Sequence, residues 1–422
     1  MTKQMILHPR VACQPVTQGP LKHFFGYHDK SPWNSTQTHI LAHESGAPHR
    51  MPLRGEKVTI GVVDLATNQF EPITETVAWN WQQGAMASWV DHPNQHAFVY
   101  NDLRDNQYVT VRRQVGSNKE EIFGQSIYTA SRKGNIGIGI DFNRISTLRP
   151  GYGYTVVKGM PFTPENEDGI YQIDFATGHV KLILSYQQIF DFAQKEVASY
   201  ENQWVAHLLL NPSGTRFLFL HRMRLETRVY TRLLTANVDG SNMRVLLQGM
   251  ASHFCWQDDH NILIWARQQS LSQQKGLYRL LKQSFIHKIW HSVVRQSAAG
   301  EWARSNILQD SFVLINDQTG KSTRFAEGVV QDDTHPFVSP NGRWVVMDTY
   351  PNAENYQGLW LINMETKEKI VLGEFYIPPH ITGGYRCDLH SRWSPDGRFV
   401  CIDSAHTGTR QMYILDVSQV AL

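Results

Sequence analysis

The sequence has little that would tie it to an oxidising compartment, a membrane or a polyanion. Its 422 residues include only four Cys, and these show no disulfide-scaffold spacing. No run reaches the roughly 18 to 20 apolar residues of a membrane span, and the N-terminal segment lacks the apolar stretch of a signal peptide. A formal net charge of +2 gives no indication of nucleic-acid binding. We therefore expect a cytoplasmic protein.

Nucleotide-binding motifs are also missing. The Gly-x-Gly of "GYGY" at 151–154 lacks the preceding strand and following helix that a dinucleotide fingerprint requires, and there is no phosphate-binding loop. Nucleotide chemistry is therefore not expected. The sequence is instead rich in His and Trp, with 19 and 12 residues, both of which are common in metal and carbohydrate sites.

A short two-part module recurs seven times. It opens with a turn followed by an apolar strand, as in "SPDGRFVCID" (394–403), "SPNGRWVVMD" (339–348) and "NPSGTRFLFL" (211–220). A second strand and turn follow each opener, as in "GIYQIDFATGHVKLIL" (169–184). Two β-sandwiches would also supply many strands, but not one module repeated seven times. The pattern predicts an all-β, seven-bladed β-propeller that forms a single domain over 1–422.

Four consecutive modules carry a His at the same position, five residues before the turn Pro or its equivalent. These residues are His207, His253, His335 and His390. Because the first strand of every propeller blade lines the central channel, we expect the four imidazoles to meet there. The alternative is that they cap the blade starts with hydrogen bonds.

Cys387 precedes His390 by three residues, at the same end of the last module. A thiolate among several imidazoles is typical of a transition-metal site. We therefore predict a divalent metal ion, zinc or manganese, on His253, His335, Cys387 and His390.

Further polar residues lie at the other strand ends and in one loop. The apolar strand of the fourth module runs into His221 and Arg222, and the loop 141–154 carries Arg149, Tyr152 and Tyr154. Each of these residues is a candidate for binding or proton transfer. The alternative is that the arginines are solvated loop charges and that the tyrosines pack the loop.

Two stretches, "AHLLLNPSGTRFLFLHR" (206–222) and "THPFVSPNGRWVVMDTYP" (334–351), resemble oligogalacturonate lyases and ulvan lyases, which are seven-bladed polysaccharide lyases. The resemblance to the oligogalacturonate enzymes implies a divalent metal on His residues of adjacent blades, and His253 and His335 match those positions. The stretch "VVQDDTHP" lacks the closely spaced His pair of that family. In the ulvan enzymes a zinc is structural, which Cys387 and His390 would suit. The choice between the two stays open.

The resemblance also implies β-elimination at a uronic acid within a glycan. Such a reaction needs a positive group on the carboxylate, a base for the neighbouring proton and an acid for the leaving oxygen. Arg222, Arg149 or the metal are candidates for the carboxylate, and His207, our first choice, or His221 for the base. Tyr154 is a candidate for the acid, or for the base if its pKa is lowered. The alternatives are a non-catalytic propeller that binds glycan or protein partners, and another carbohydrate-active enzyme of polysaccharide assembly.

The segment 268–300 departs from the module. It contains no acidic residue, and its Lys and Arg residues alternate with apolar residues at helical spacing. We predict a basic amphipathic helical insertion in blade 5, with a peripheral membrane contact through 275–295 in which Phe285 and Trp290 enter the headgroup region. The alternative is a helix packed on the propeller with a solvated basic face.

Overall fold

Short antiparallel sheets supply most of the regular structure in the computed structural model. The described residues are 5–92, 95–133, 135–155, 162–192, 199–225, 228–267 and 310–421. They form seven sheets, each built on an up-and-down meander of consecutive strands to which, in two sheets, a strand from the N-terminal region is added. This confirms the predicted seven-bladed propeller.

The strands follow the predicted order of modules. The first two strands, β1 (Met5–Leu7) and β2 (Ala12–Pro15), join the last two blades. Blade 1 contains β3 (Lys22–Phe24), β4 (His39–Ser45), β5 (Val58–Asp64) and β6 (Gln69–Thr76). Blade 2 contains β7 (Ser88–His92), β8 (Gln95–Arg104), β9 (Gln107–Gln114) and β10 (Glu120–Phe123). Blade 3 contains β11 (Ile127–Ala130), β12 (Ile136–Ile140), β13 (Gly169–Asp174) and β14 (Val180–Ser185).

The four remaining blades carry most of the candidate site. Blade 4 contains β15 (Asn202–Leu210), β16 (Arg216–Leu225), β17 (Arg228–Asn237) and β18 (Arg244–Gly249). Blade 5 contains β19 (Ala251–Trp256), β20 (Asn261–Arg267), β21 (Asp310–Asn316) and β22 (Ser322–Arg324). Blade 6 contains β23 (His335–Val338), β24 (Trp344–Asp348), β25 (Tyr356–Asn363) and β26 (Lys369–Tyr376). Blade 7 contains β27 (Arg392–Trp393), β28 (Phe399–Ser404) and β29 (Gln411–Asp416).

The ring is closed by the N-terminal strands. Strand β2 pairs antiparallel with β29 and becomes the outermost strand of blade 7, while β1 adds a fifth strand to blade 6 next to β26. Residues from both ends of the sequence therefore share one sheet. This arrangement holds the first and last blades together by a row of backbone hydrogen bonds.

The central strands are buried on both faces because each blade is packed between two others. All five residues of β24 and the first eight residues of β16 are buried. At the turns between the first two strands of blades, glycines such as Gly342 and Gly397 have φ values of 71° and 74°, as the sequence predicted for these turns. Apolar side chains of neighbouring blades form the core between the sheets.

Helices are few and short among the described residues. They are α1 (Phe142–Leu148), α2 (Tyr186–Phe192), α3 (Ser418–Ala421) and one turn of 3-10 helix at Gly383–Tyr385. In the part of the chain that the structure describes, no helix is long and apolar enough to cross a membrane. The predicted helical insertion 268–300 and its membrane contact 275–295 lie outside the described residues. That 1–422 forms one domain also stays a prediction.

Candidate metal and anion site at the propeller channel

The four aligned His residues meet in space. The ring centroids of His253 and His335 are 4.2 Å apart, and those of His335 and His390 are 4.7 Å apart. His207 joins them through Tyr27, whose ring centroid lies 5.1 Å from that of His207 and 5.0 Å from that of His390. The sequence alignment of the modules therefore predicted a true cluster of side chains.

Local backbone irregularities direct these side chains into the channel. His207 and His390 have positive φ values of 54° and 44°, which are uncommon for residues other than glycine. The pairing register shifts between Ala206 and Leu209 in blade 4, where His207 lies. Bulges and strained backbone of this kind are common beside functional sites, because they redirect a side chain that regular pairing would not.

A fifth imidazole, His28, belongs to the cluster and was missed by the sequence analysis. Its ring centroid lies 5.1 Å from that of His335 and 5.9 Å from that of His253. The rule that found the other four His residues does not find it. Five residues before Asn34, which takes the place of the turn Pro in the first module, lies Asp29, one residue after His28.

Tyr27 and His28 are carried on a loop whose backbone is held firmly in the channel. The Gly26 carbonyl accepts a hydrogen bond from His390 Nδ1 at 2.7 Å and another from Arg392. Arg392 also donates to the Tyr27 carbonyl at 3.2 Å and forms a buried ion pair with Asp403 at 3.1 Å. Gly26 has a φ of 131°, so another residue would be strained here. These contacts fix the position of both side chains.

Four of the imidazoles are oriented in the same way. In each, Nδ1 lies within hydrogen-bonding distance of a carbonyl or carboxylate oxygen, so that nitrogen carries the proton and Nε2 keeps its lone pair. Metal-binding His residues in proteins are held by this kind of contact. The pairs are His28 with the Pro336 carbonyl (3.1 Å), His253 with Asp333 (2.9 Å), His335 with Asp348 (3.1 Å) and His390 with the Gly26 carbonyl (2.7 Å).

One carboxylate joins two of these imidazoles. His335, Asp388 and His390 each offer one ligand atom, and these atoms all lie within 4.8 Å of one another. Among the described residues, Nε2 of both His residues and Oδ1 of Asp388 are buried without a hydrogen-bond partner. The other oxygen of Asp388 is 2.7 Å from Nε of Arg386. Buried polar atoms without partners are costly, and a divalent cation would satisfy all three, so the group fits a metal with nitrogen and oxygen ligands.

Most imidazoles of the cluster have the protonation state that a metal ligand needs. Burial lowers the pKa of His28 and of His390 well below the usual value, and neighbouring imidazoles add to the effect. Burial likewise lowers the pKa of His253, despite the Asp333 carboxylate. Burial acts to lower the pKa of His335, but the hydrogen bond to Asp348 and the charges of Asp348, Asp388 and Asp333 together outweigh it and raise this pKa. Three of the imidazoles are therefore neutral near pH 7, as metal ligands must be.

A small cavity of about 30 Å³ adjoins the cluster. It has room for about two water molecules or one carboxylate group, but not for a sugar ring. The residues that line it are His28 and His253 of the cluster, together with Tyr27, Asp29, Arg149, Tyr152, His207, Arg222, Ser252 and Phe254.

The two arginines of the cavity are not neutralised. In the described ranges, neither Arg149 nor Arg222 forms an ion pair with a carboxylate, and Nε of Arg222 is buried without a hydrogen-bond partner. Burial, and then the charge of Arg149, lowers the pKa of Arg222 to about 10, so it remains positive at neutral pH. Two unpaired guanidinium groups beside one cavity favour an anionic ligand.

His207 faces the same cavity as a free base. Neither ring nitrogen has a hydrogen-bond partner among the described residues. Burial, followed by the charges of Arg222 and Arg149, lowers its pKa well below the usual value. The imidazole is therefore neutral near pH 7 and able to accept a proton.

Two residues that the sequence proposed for catalysis lie elsewhere. His221 is fully buried in β16, with Nε2 2.7 Å from Oε1 of Gln203. The Tyr154 ring stacks on Phe142 at 4.4 Å, and its hydroxyl accepts a hydrogen bond from Asn101 at 2.8 Å. Neither side chain lines the cavity that holds His207.

Cys387 is also separated from the group that it was predicted to join. It is fully buried in a small apolar cluster with Ile377, Ile381 and Ala405, and burial raises the pKa of its thiol to about 12. Its sulfur is not among the atoms that converge within 4.8 Å. The adjacent Asp388, which the sequence analysis did not select, offers a ligand atom at that place.

Comparison with known proteins gives structural matches only. No family model matches the sequence, and no curated protein does. The fold is similar to that of oligogalacturonate lyase from Vibrio parahaemolyticus, with a TM-score of 0.63, 14% identity, and coverage of 100% of this chain and 99% of that one. It is also similar to an oligogalacturonate lyase in complex with manganese, with a TM-score of 0.62, 15% identity, and coverage of 99% of this chain and 98% of that one. The chain is thus a seven-bladed propeller that resembles, distantly and over its whole length, the oligogalacturonate lyases.

Proposed function

We propose that this protein is a metal-dependent lyase that cleaves uronic-acid-containing oligosaccharides by β-elimination. The observation that carries the proposal is that two sites lie side by side. The His335 ring of the imidazole and carboxylate group lies 5.1 Å from that of His28 and 4.2 Å from that of His253. Those two residues line a cavity that also has two unpaired arginines and a neutral histidine. Two solved structures that resemble this chain over its whole length are oligogalacturonate lyases, and they support the same reaction.

His335, His390 and Asp388 would hold the metal ion, with His253 and His28 beside them. Manganese is the ion to test first, because the ligands are imidazole and carboxylate and a similar structure is a manganese complex. When bound, a divalent ion supplies positive charge that stabilises the electron density developing beside a substrate carboxylate.

Arg222 and Arg149 would bind the carboxylate of the uronic acid. Their unpaired N–H groups match a carboxylate in charge and geometry, and burial of Arg222 strengthens the interaction. Because the cavity holds a carboxylate but not a ring, the sugar itself would lie at the mouth, where Arg149 and Tyr152 are half-buried. The C5–H bond, next to this carboxylate, would then lie close to the channel wall.

His207 would remove the C5 proton. The electron pair of the C5–H bond forms the C4=C5 double bond as the C4–O4 bond breaks, which leaves an unsaturated uronate and a shortened oligosaccharide. Removal of a base of this kind typically lowers the rate about 10²- to 10⁴-fold.

The test combines metal content with turnover. Protein purified without chelator or metal-affinity resin is analysed for bound metal, then assayed on 4-linked glucuronate and galacturonate oligosaccharides by the ultraviolet absorbance of the unsaturated product. We expect His335→Ala to lose the metal and His207→Ala to keep the metal but lose turnover. His179→Ala, which changes an exposed His in blade 3, should resemble wild type. Absence of product from all uronates with metal bound would refute the proposal.

A further inference from the structure

We propose that Tyr27 donates the proton to the leaving sugar oxygen, and that it does so from the same face of the sugar as the base His207. The proposal rests on the lyase function proposed above. It goes further, because it names a catalytic residue that the sequence did not indicate and restricts the stereochemistry of the substrate.

Tyr27 is the tyrosine that contacts both halves of the site within the described part of the chain. Its ring centroid is 5.1 Å from that of His207, 5.0 Å from that of His390 and 6.1 Å from that of His335. Tyr152 contacts His207, and Tyr350 contacts His253 and His335, but neither contacts both groups.

The hydroxyl of Tyr27 is free to act. It has no hydrogen-bond partner in the described residues, and its side chain lines the cavity. Tyr154, the acid suggested by the sequence, has its hydroxyl occupied by Asn101 in the core. The backbone carbonyls of Gly26 and Tyr27 are both held by Arg392, so the ring is positioned before any substrate arrives.

Tyr27 and His207 together account for every proton that moves in the reaction. The C5–H bond breaks and its proton passes to His207, the C4=C5 bond forms, the C4–O4 bond breaks, and the Tyr27 hydroxyl proton passes to O4. A phenolate and an imidazolium remain, in rings whose centroids are 5.1 Å apart. Transfer of the proton from His207 to Tyr27, directly or through one water, restores both residues without an external acid or base.

The same short distance limits the substrate. Because the rings of Tyr27 and His207 are in contact, no sugar fits between them. The acid Tyr27 and the base His207 must therefore approach the same face of the sugar. On that face the C5 hydrogen and the C4 oxygen must be cis. This holds for 4-linked D-glucuronate and D-mannuronate, whereas in D-galacturonate the two are trans. We therefore infer a substrate of the gluco or manno configuration.

The experiment uses the metal-loaded full-length protein and two disaccharides that differ only at C4, one with a 4-linked D-glucuronate and one with a D-galacturonate. Tyr27→Phe removes only the hydroxyl, and Tyr154→Phe is the matched control. Metal affinity and unfolding temperature are measured for every variant. A third substrate carries 4-O-dinitrophenyl, which leaves without an acid.

We expect wild type to cleave the glucuronate at least about 10-fold faster than the galacturonate. Tyr27→Phe should lose about 10²-fold or more in kcat on the glucuronate disaccharide, recover most of it on the dinitrophenyl substrate, and bind metal as wild type does. Tyr154→Phe should keep its kcat. This inference would be overturned if Tyr27→Phe kept its turnover, if it lost equal fractions of kcat on the glucuronate and dinitrophenyl substrates, or if wild type preferred galacturonate. The proposed lyase function would still stand in each case. No turnover of any uronate by wild type would overturn both.

Discussion

Acid should destabilise the protein through His221, a residue that the sequence suggested for catalysis. His221 is fully buried in β16, and the groups that face it are Gln203, through a 2.7 Å hydrogen bond, and the positive charge of Arg232 on β17. Burial, followed by Arg232, lowers the pKa of His221 to about 3. The folded protein therefore resists protonation of this imidazole down to strongly acidic pH.

The size of the effect follows from the two pKa values. An unfolded chain protonates His221 near pH 6.5, whereas the folded chain does so near pH 3. Between these values the unfolded state holds one more proton at this residue, so the free energy of unfolding falls by about 1.4 kcal/mol for each pH unit of acidification. The contribution is complete above pH 6.5, and by pH 4 about 3 kcal/mol of it is lost.

Urea unfolding at 25 °C, measured at several pH values between 7 and 4, tests this. His221→Gln keeps a polar group towards Gln203 but cannot be protonated. We expect its free energy of unfolding to depend on pH less steeply than that of wild type, by about 1.4 kcal/mol per pH unit. Its turnover at pH 7 should stay close to wild type. Equal slopes would refute the reasoning about burial, and loss of turnover with intact stability would restore His221 as a candidate base.

Three further predictions concern the remaining candidate residues. Asp348→Asn removes the charged acceptor of His335 Nδ1 and should weaken manganese binding about 10- to 100-fold in calorimetric titration, with the fold intact by circular dichroism. Cys387→Ala should leave metal content by elemental analysis unchanged and cost about 1 kcal/mol in urea unfolding, because the thiol packs among apolar groups. Tyr154→Phe loses the hydrogen bond from Asn101 and should cost about 1 kcal/mol of stability without changing kcat. Loss of metal from Cys387→Ala, or of turnover from Tyr154→Phe, would contradict the assignments made from the structure.

The sequence predicted the propeller because its turns depend on local chemistry. Pro395 and Gly397 favour a tight turn, and the same Pro-x-Gly turn recurs in the modules at 211–220 and 339–348. Repetition of the module fixes how many blades there are. The positions of His207 and His335 followed from the same repetition. The blade closure by β2 was not predicted, because it pairs residues from opposite ends of the sequence and has no local signal.

The candidate residues that the structure places away from the cavity are neighbours of residues that line it. In a strand, adjacent side chains point to opposite faces, so Arg222 lines the cavity while His221 is buried on the other side. Tyr152 lines the cavity and Tyr154 packs in the core. Sequence spacing located each segment correctly, but the direction of a side chain in a loop or at a bulge depends on contacts with distant blades.

The replacement of Cys387 by its neighbour Asp388 as the candidate ligand also bears on the choice of metal. A thiolate from Cys387 would have favoured zinc, the structural ion of the ulvan lyases that the sequence resembles. With Asp388 in that place, the ligands are imidazoles and a carboxylate, and the carboxylate is a hard oxygen ligand of the type that suits manganese. The group also lies beside His28 and His253, which line the cavity that has the unpaired arginines. A purely structural ion would not require those arginines. A catalytic role of the metal therefore depends on Asp388 as a ligand. Metal analysis of Asp388→Asn beside Cys387→Ala separates the two assignments, because loss of metal from Asp388→Asn alone supports the catalytic group.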